Sequence, residues 1–260
     1  MKRKKLLKII FPCLSNPFPG KKRVIPRPGD TGEGVGLHAF LSPFPANINL
    51  IRSDAMIHKN VVTDFSQKES MPVIDESAYI HPLAAVIGNV TVGKRVMVSP
   101  FASIRGDEGQ SIMVSDDANV QDGVILHGLE TEHNGHAIEK NLVEADGKKY
   151  AVYVGKRVSL AHQVQIHGPA YVGDDTFVGM QSLVFKAYVG TGCVVEPGCI
   201  VMGVKVPDGR CVPAGTVLKK QEDADNLPVI TDDYPLRGLN KEVVHVNTSL
   251  ADGYNKINLK

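Results

Sequence analysis

The sequence predicts an all-β protein built as a parallel β-helix, with an α-helix packed along it near the C-terminus. Three observations support this fold class. An aliphatic residue recurs at every sixth position from Ile74 onward, a glycine often follows it, and a small residue often comes four places after it. Repeats of this length are typical of short strands that stack as faces with turns between them.

The repeated aliphatic position determines the size of the solenoid. It is occupied by Ile74, Ile80, Val86, Val92, Val98, Ile104, Val114, Val120, Leu126, Val154, Leu160, Ile166, Val172, Val178, Val184, Val189, Val195, Val201, Val206, Val212 and Leu218. The motif resembles the hexapeptide-repeat family, whose members form left-handed triangular prisms with three repeats per coil. That resemblance implies a left-handed parallel β-helix of about seven coils. At a rung spacing of roughly 4.8 Å, the prism would be about 30 Å tall.

Two insertions interrupt the period. The step from Ile104 to Val114 is four residues too long, and the step from Leu126 to Val154 is 22 residues too long. A solenoid can accommodate extra residues at a corner without losing its register, so the longer insertion predicts a protruding loop at about 128–150.

The chain divides into three expected regions. Residues 1–60 are rich in proline and glycine and carry 11 Lys/Arg against 3 Asp/Glu, so they are expected to be a poorly ordered basic extension. Residues 61–221 form the β-helix domain, and residues 222–260 form a C-terminal segment and helix. In that helix Leu239, Val243, Val246, Leu250, Tyr254 and Ile257 are spaced by three or four residues, which predicts an apolar face toward the prism.

Composition excludes some functions and leaves the compartment open. Net charge is +1, which argues against a nucleic-acid binder, and no apolar run is long enough to span a bilayer. The basic-apolar start MKRKKLLKIIFPCLS has a charged interruption and no clear cleavage site, so a cytoplasmic location is slightly favoured over export. The four cysteines form no CxxC pair, and those inside the repeat are expected to be small core residues.

Histidines occupy interlocking positions on the predicted prism. His127 follows Leu126 and His167 follows Ile166, and once the long insertion is removed these positions are one full coil apart. The two imidazoles should therefore lie one above the other in an outward column, about 5 Å apart.

A third histidine lies on a different face. Arg105 should lie below His127 in the column, whereas His162 comes two places after Leu160 and falls around a corner. Five extended residues span roughly 16 Å, too far for His162 and His167 of one chain to bind one ion at about 2 Å. If three copies close into a ring, His162 of one chain can meet His127 and His167 of another. Three imidazoles with an open fourth position are typical of a catalytic zinc-type site.

From about Phe65 to Tyr254 the chain is similar to the γ-class carbonic anhydrases, which are homotrimeric left-handed β-helices. The repeat alone is shared with acyltransferases, but the combination of RxDEG, NVQDG, His127 and HxxxxH is specific. The segments that carry the resemblance are SPFASIRGDEG, NVQDGVILHGLET, VYVGKRVSLAHQVQIHGPA, GDDTFVGMQSLVFK, VPDGRCVPAGTV and VNTSLADGY.

The resemblance implies an activity and a metal centre. The activity is the reversible hydration of carbon dioxide to bicarbonate and a proton by a metal-bound hydroxide at subunit interfaces. The metal would be held by His127 and His167 of one subunit and His162 of the next. Zinc is the expected ion, although three neutral imidazoles also suit iron(II) and cobalt(II).

The resemblance also assigns roles to residues around the metal. Glu108 corresponds to the acid that contacts metal-bound solvent, Gln121 to the amide that orients it, and Asn247 to an active-site asparagine of the terminal helix. Glu130, at the root of the long loop, matches the proton-shuttle glutamate. Arg105 has two open interpretations, a substrate-anion contact or an interface ion pair with Asp122 of a neighbour.

Three histidines and one phenylalanine need separate expectations. His133 and His136 in the long loop could assist Glu130 or simply be exposed, and exposure is favoured. His245 stands where close relatives have tyrosine, and Phe65 appears where they have tryptophan; neither change removes a ligand.

Two alternative functions remain, a hexapeptide-repeat acyltransferase and a non-catalytic γ-type scaffold subunit. The presence of Glu108 and Glu130 argues against the scaffold.

Overall fold

The computed structural model describes residues 56–258. The expectations for most of the basic extension, for its export signal and for Cys13 lie outside these residues. Within them the predicted fold class is confirmed. The chain is a parallel β-solenoid of about eight turns of the left-handed β-helix type, followed by a C-terminal helix.

The strands are short, as a six-residue repeat requires. In chain order they begin with β1 Met56–His58, β2 Val73–Ile74, β3 Tyr79–Ile80, β4 Ala85–Gly88, β5 Val90–Val92, β6 Met97–Val98, β7 Ser103–Gly106, β8 Ile112–Val114, β9 Asn119–Val120, β10 Ile125–His127, β11 Glu132–His133, β12 His136–Ala137 and β13 Val143–Ala145. They continue with β14 Lys148–Tyr150, β15 Val152–Val154, β16 Ser159–Leu160, β17 Gln165–His167, β18 Ala170–Val172, β19 Phe177–Val178, β20 Leu183–Phe185, β21 Tyr188–Val189, β22 Val194–Val195, β23 Ile200–Met202, β24 Lys205–Val206, β25 Cys211–Val212 and β26 Val217–Leu218. The helices are α1 Gln221–Asp225 and α2 Leu239–Asn258.

Three parallel sheets form the faces of the prism. Face A has the strand order β1-β4-β7-β10-β17-β20-β23-β26, face B has β2-β5-β8-β15-β18-β21-β24, and face C has β25-β22-β19-β16-β9-β6-β3. Face A contains one strand more than the repeat predicts, because Ile57 of β1 pairs with Val86. The residues between β1 and Ile74 do not follow the six-residue repeat, so the pattern could not reveal this strand.

The repeated aliphatic residues fill the interior. On face A the inward column runs through Val86, Ile104, Leu126, Ile166, Val184, Val201 and Leu218, and each of these side chains is at most 1% exposed. Burial of each such side chain stabilises the fold by about 1.5–3 kcal/mol. Cys193, Cys199 and Cys211 are also buried and unpaired, as expected for small core residues.

The long insertion folds into two antiparallel hairpins. β11 pairs with β12 and β13 pairs with β14, with a 3₁₀ turn at Glu139–Asn141 between them. The second hairpin packs Ala145 and Tyr150 against Tyr153 of face B. The insertion thus returns to the prism before the period resumes.

The predicted C-terminal helix is confirmed, but its predicted apolar face is partly wrong. Helix α2 packs against β3, β6, β9 and β16 of face C, and Val246, Leu250 and Ile257 are exposed in the chain. The buried side chains of the helix are Asn240, Asn247 and Ala251. Asn240 Nδ2 donates to the carbonyl of Arg157 at 2.8 Å. Small and hydrogen-bonded side chains let the helix approach the sheet closely, so hydrophobicity alone did not identify the contact face. Among the described residues, no helix is long and apolar enough to cross a membrane.

We expect Leu160→Ala to lower the free energy of unfolding by about 2–5 kcal/mol, because Leu160 is 0% exposed in the stacked interior. Leu83→Ala is the matched control, since Leu83 is 53% exposed, and should change it by less than about 0.5 kcal/mol. Denaturant unfolding at fixed protein and metal concentration measures both. Equal losses in the two variants would contradict the assignment of the core.

Candidate metal centre

Face A carries one column of outward side chains through β7, β10 and β17. Its register pairs Arg105 with His127 and His127 with His167, as the six-residue count predicts. The two imidazole centroids are 5.3 Å apart and the rings meet edge to face. Phe185 follows His167 in the same column, with ring centroids 5.4 Å apart, and forms an apolar boundary above the histidines.

His127 lies among charged groups supplied by the first insertion. Its Nε2 is 3.2 Å from Glu108 Oε1 and 3.4 Å from Asp107 Oδ1. Arg105 Nη2 lies 2.8 Å from the same nitrogen, and Arg105 Nε is 3.7 Å from Asp107 Oδ2. Because a guanidinium only donates, this contact requires the neutral ring with its lone pair on Nε2.

Burial determines the protonation of His127. Burial lowers the pKa of His127, the carboxylates of Glu108 and Asp107 raise it, and the neighbouring Arg105 and His167 lower it, with a net shift below the ordinary value. The neutral imidazole is the form that binds a metal. The environment therefore keeps this ring in its ligand form at neutral pH.

His167 is oriented by the residue that follows it. Its Nδ1 lies 3.3 Å from the carbonyl oxygen of Gly168, so the tautomer protonated on Nδ1 leaves Nε2 free as a ligand. The amide of Gly168 donates to the carbonyl of His127 at 2.8 Å. A Cβ at Gly168 would collide with the carbonyl oxygen of Ala151, so glycine is needed for this close approach.

Face C carries the remaining predicted groups. His162, in the turn after β16, places Nδ1 3.0 Å from Asp122 Oδ2, and both side chains are exposed. A carboxylate on Nδ1 is the usual partner of a metal-binding histidine, because it holds the ring and leaves Nε2 as the ligand. This contact between Asp122 and His162 was not predicted from the sequence.

Gln121 is held by a chain of buried amides. Its side chain is 8% exposed, and Nε2 donates to Asn119 Oδ1 at 2.9 Å. Asn119 Nδ2 in turn donates to Ser159 Oγ at 2.9 Å. With its amino group engaged, Gln121 has its carbonyl oxygen left to accept a hydrogen bond.

Asn247 lies on α2, the helix that covers face C. It is buried, and its Nδ2 donates to the carbonyl of Val243 at 2.9 Å. Asn247 therefore lies on the face C side of the prism, as Gln121 and His162 do, and not beside the column on face A. His245 is exposed two residues earlier.

The donor set fits a divalent metal. Neutral imidazoles suit zinc, iron(II) and cobalt(II). Among residues 56–257, the group of three or more potential ligands whose atoms lie within 4.8 Å of one another is Asp107, Glu108 and His127. Asp107 Oδ1 is buried without a hydrogen-bond partner, which marks a position where a polar or cationic group is accommodated. Neither His162 nor His167 is in this group, and a centre that joins the three histidines stays a prediction.

The long loop places Glu130 next to a histidine. Glu130 Oε1 is 3.0 Å from His133 Nδ1. His133 and His136 are both exposed, as expected. The contact between Glu130 and His133 was not predicted, because the insertion has no period from which pairing could be counted.

The structure therefore brings the predicted residues together in two groups. The face A group contains Arg105, Glu108, His127 and His167, with Glu130 at the root of the adjacent loop. The face C group contains Gln121, His162 and Asn247. The carbonyl of Phe65 lies close to Gly109 beside the first group. Arg105 contacts Asp107 and His127 within the chain, and its pairing with Asp122 of a neighbour stays a prediction.

Sequence comparison relates the chain to two kinds of protein. It is 59% identical over 199 residues to a carbonic anhydrase of Methanosarcina thermophila, an alignment that covers 76% of this chain and 81% of the relative. It is 40% identical over 192 residues to a carboxysome assembly protein, CcmM, of a Nostoc species, covering 74% of this chain and 33% of the relative. No protein-family model matches the chain.

Comparison with solved structures supports the fold alone. A hexapeptide transferase family protein from Anaplasma phagocytophilum matches with a TM-score of 0.56 at 24% identity, covering 71% of this chain and 93% of that one. A putative acetyltransferase from Bacillus cereus matches with a TM-score of 0.56 at 22% identity, covering 78% and 99%.

In metal-free protein we expect the pKa of His127 to respond to its two charged neighbours in opposite directions. Glu108→Gln removes a carboxylate that raises this pKa and should lower it further, whereas Arg105→Ala removes a cation that lowers it and should raise it. Nitrogen-15 NMR titration of the histidine side chains measures both. A higher pKa in Glu108→Gln would contradict the described electrostatics.

Proposed function

The chain belongs to the γ-class carbonic anhydrase family, and from that membership we propose that it catalyses the reversible hydration of carbon dioxide to bicarbonate and a proton at metal centres between subunits. We assign catalysis to the region 61–221, with the loop 128–150 serving proton transfer and the segment 222–260 completing the site. The observation that carries this proposal is the in-register column of His127 and His167, with Glu108 3.2 Å from His127.

The metal is divalent, and we propose zinc, held by His127 and His167 of one subunit and His162 of the next. When held by these residues, a divalent ion would supply a water of lowered pKa, the chemistry that zinc supplies in carbonic anhydrases generally. Asp122 and the Gly168 carbonyl hold the rings of His162 and His167 so that Nε2 of each is the available nitrogen. Iron(II) or cobalt(II) suits the same donors.

A homotrimer would bring the two groups of residues together. A ring closed by three equivalent contacts places face A of each subunit against face C of its neighbour. The exposed apolar side chains Val246, Leu250 and Ile257 of α2, beside face C, support contact with another copy.

The residues around the metal have complementary roles. The carboxylate of Glu108 is placed to accept a proton from the reacting water, because its Oε1 lies 3.2 Å from His127 Nε2, the nitrogen proposed to hold the metal. Gln121, fixed through its amino group, accepts a hydrogen bond and so orients that water. Arg105 is positioned to attract the bicarbonate anion or to pair with Asp122 of the neighbour, and Asn247 contributes a polar group from α2.

The product proton must leave faster than water alone permits. A group that ionises near pH 7 and returns its proton only to water turns over at about 10³ s⁻¹, because recombination at about 10¹⁰ M⁻¹s⁻¹ sets the ceiling. We therefore propose Glu130, half-exposed at the root of the loop, as the proton acceptor that passes the charge outward.

A non-catalytic scaffold is the second candidate, because a carboxysome assembly protein is among the relatives. It would not require an acid beside the histidine column, and this chain has Glu108 there. An acyltransferase has weaker support, since the matches to transferases concern the fold alone.

Carbon dioxide hydration by anaerobically purified protein tests the proposal directly. Initial rates from stopped-flow measurements should rise in proportion to the metal content determined on the same samples and vanish after chelation. Protein carrying one metal per chain with a rate at background would instead support the scaffold.

Mixing two inactive variants tests the shared centre. His162→Ala and His127→Ala should each lose metal and activity, whereas His58→Ala, an exposed histidine outside the ligand set, should keep both. Co-refolded 1:1 mixtures of the two variants should regain about a quarter of the sites, because each interface draws its halves at random. No recovery in mixed trimers would contradict ligation across subunits.

A further inference from the structure

We infer that His133 is a proton-transfer residue that receives the product proton from Glu130 and passes it to external buffer. This inference rests on the proposed function. It concerns the first hairpin of the long loop, β11 and β12, which the six-residue period does not cover. Among the described residues, the side chain that contacts the Glu130 carboxylate is His133, with Nδ1 3.0 Å from Oε1.

The hairpin presents His133 at its first strand. Residues Asn134 and Gly135 both have positive φ, the conformation of the tight turns that match the twist of two paired strands. This turn sets His133 directly across from His136 in the ladder. The carbonyl of Asp64 accepts from the amide of Asn134 at 2.8 Å, so the hairpin tip is attached to the segment that precedes the repeat.

The root of the hairpin is tied to the loop that carries Glu108. Thr131 is fully buried; its hydroxyl donates to the Glu108 carbonyl at 2.6 Å and accepts from the Gln110 amide at 2.6 Å. Its own amide donates to the same carbonyl at 3.0 Å. Asn141 Nδ2 donates to the Glu130 carbonyl at 2.6 Å. The backbone at Glu130 is thus held from both sides, beside the acid that first takes the proton.

Solvent exposure differs between the inner and outer groups of the proposed proton relay. The side chain of Glu108 is 29% exposed, that of Glu130 43%, and that of His133 57%. The exposed fraction therefore rises in the proposed order of transfer, from Glu108 through Glu130 to His133. This order suits a relay, because its last member must meet a buffer molecule in solution.

The transfer balances in two steps. The protonated carboxyl of Glu130 gives its proton to Nδ1 of neutral His133, which leaves a carboxylate and an imidazolium. The imidazolium then loses the proton on Nε2 to an external buffer base, and exchange with solvent restores the starting tautomer. Imidazole is suited to the outer position because it gains and loses protons in the neutral pH range.

The other titratable groups around His133 have different positions. Glu132 and His136 belong to the same hairpin, and Asp64 belongs to the attached segment. Glu132 Oε1 accepts from the amide of Gln67 at 3.4 Å, and His136 Nδ1 contacts the carbonyl of Asn134 at 3.0 Å. These contacts direct both groups to backbone atoms rather than to Glu130, so His136 offers a matched control on the same turn.

The test uses metal-loaded enzyme and compares His133→Ala with His136→Ala. At low buffer concentration His133→Ala should lower kcat for hydration roughly tenfold and leave kcat/KM unchanged, because proton export follows the interconversion of carbon dioxide and bicarbonate. High buffer concentration, or added free imidazole, should restore kcat. His136→Ala should behave as wild type throughout.

A double variant separates a relay from a structural role. If the proton passes from Glu130 to His133, Glu130→Gln combined with His133→Ala should lose no more kcat than Glu130→Gln alone. Wild-type kcat for His133→Ala at low buffer, an equal loss for His136→Ala, or no rescue by imidazole would each overturn the inference while the wild-type enzyme still hydrates carbon dioxide. If the metal-loaded wild type shows no hydration, the proposed function and this inference both fail.

Discussion

In-register hydrogen bonding between successive coils is the constraint on which the rest of the molecule depends. It places Ile104, Leu126 and Ile166 in one inward column and Arg105, His127 and His167 in the outward column beside it. Because successive residues of a strand point to opposite sides, a slip of one residue would exchange the two columns. The buried aliphatic residues therefore hold the histidines in place, and the stability of the core and the geometry of the centre have the same origin.

The parts of the fold that follow this period could be predicted from the sequence, and the parts that depart from it could not. The stacking of His127 on His167 and the separate face of His162 followed from counting residues in sixes. The hairpins of the long insertion, and with them the contact of Glu130 with His133, have no repeat to count. The contact face of α2 was partly misjudged, since Asn247 and Ala251 are buried whereas Val246, Leu250 and Ile257 are exposed.

The presence of charged residues near the histidines could be predicted from the sequence, but their contacts could not. Charged residues near the histidine column were evident in the sequence. Their contacts depend on how the four-residue insertion folds, which places Asp107 and Glu108 on His127 beside Arg105. Opposite charges then act on one imidazole, and burial decides the sign of its shift in pKa. The assignment of Asp122 to His162 likewise needed coordinates, because two exposed side chains on adjacent coils can adopt many rotamers.

The long insertion leaves and rejoins the prism at a corner, and β10 pairs with β17 in the register expected if the insertion were absent. The register of His127 and His167 therefore does not depend on the length of the excursion between them. If the loop serves proton transfer as proposed, exchanging one excursion for another would alter the exit route of the proton while the stacked imidazoles kept their spacing.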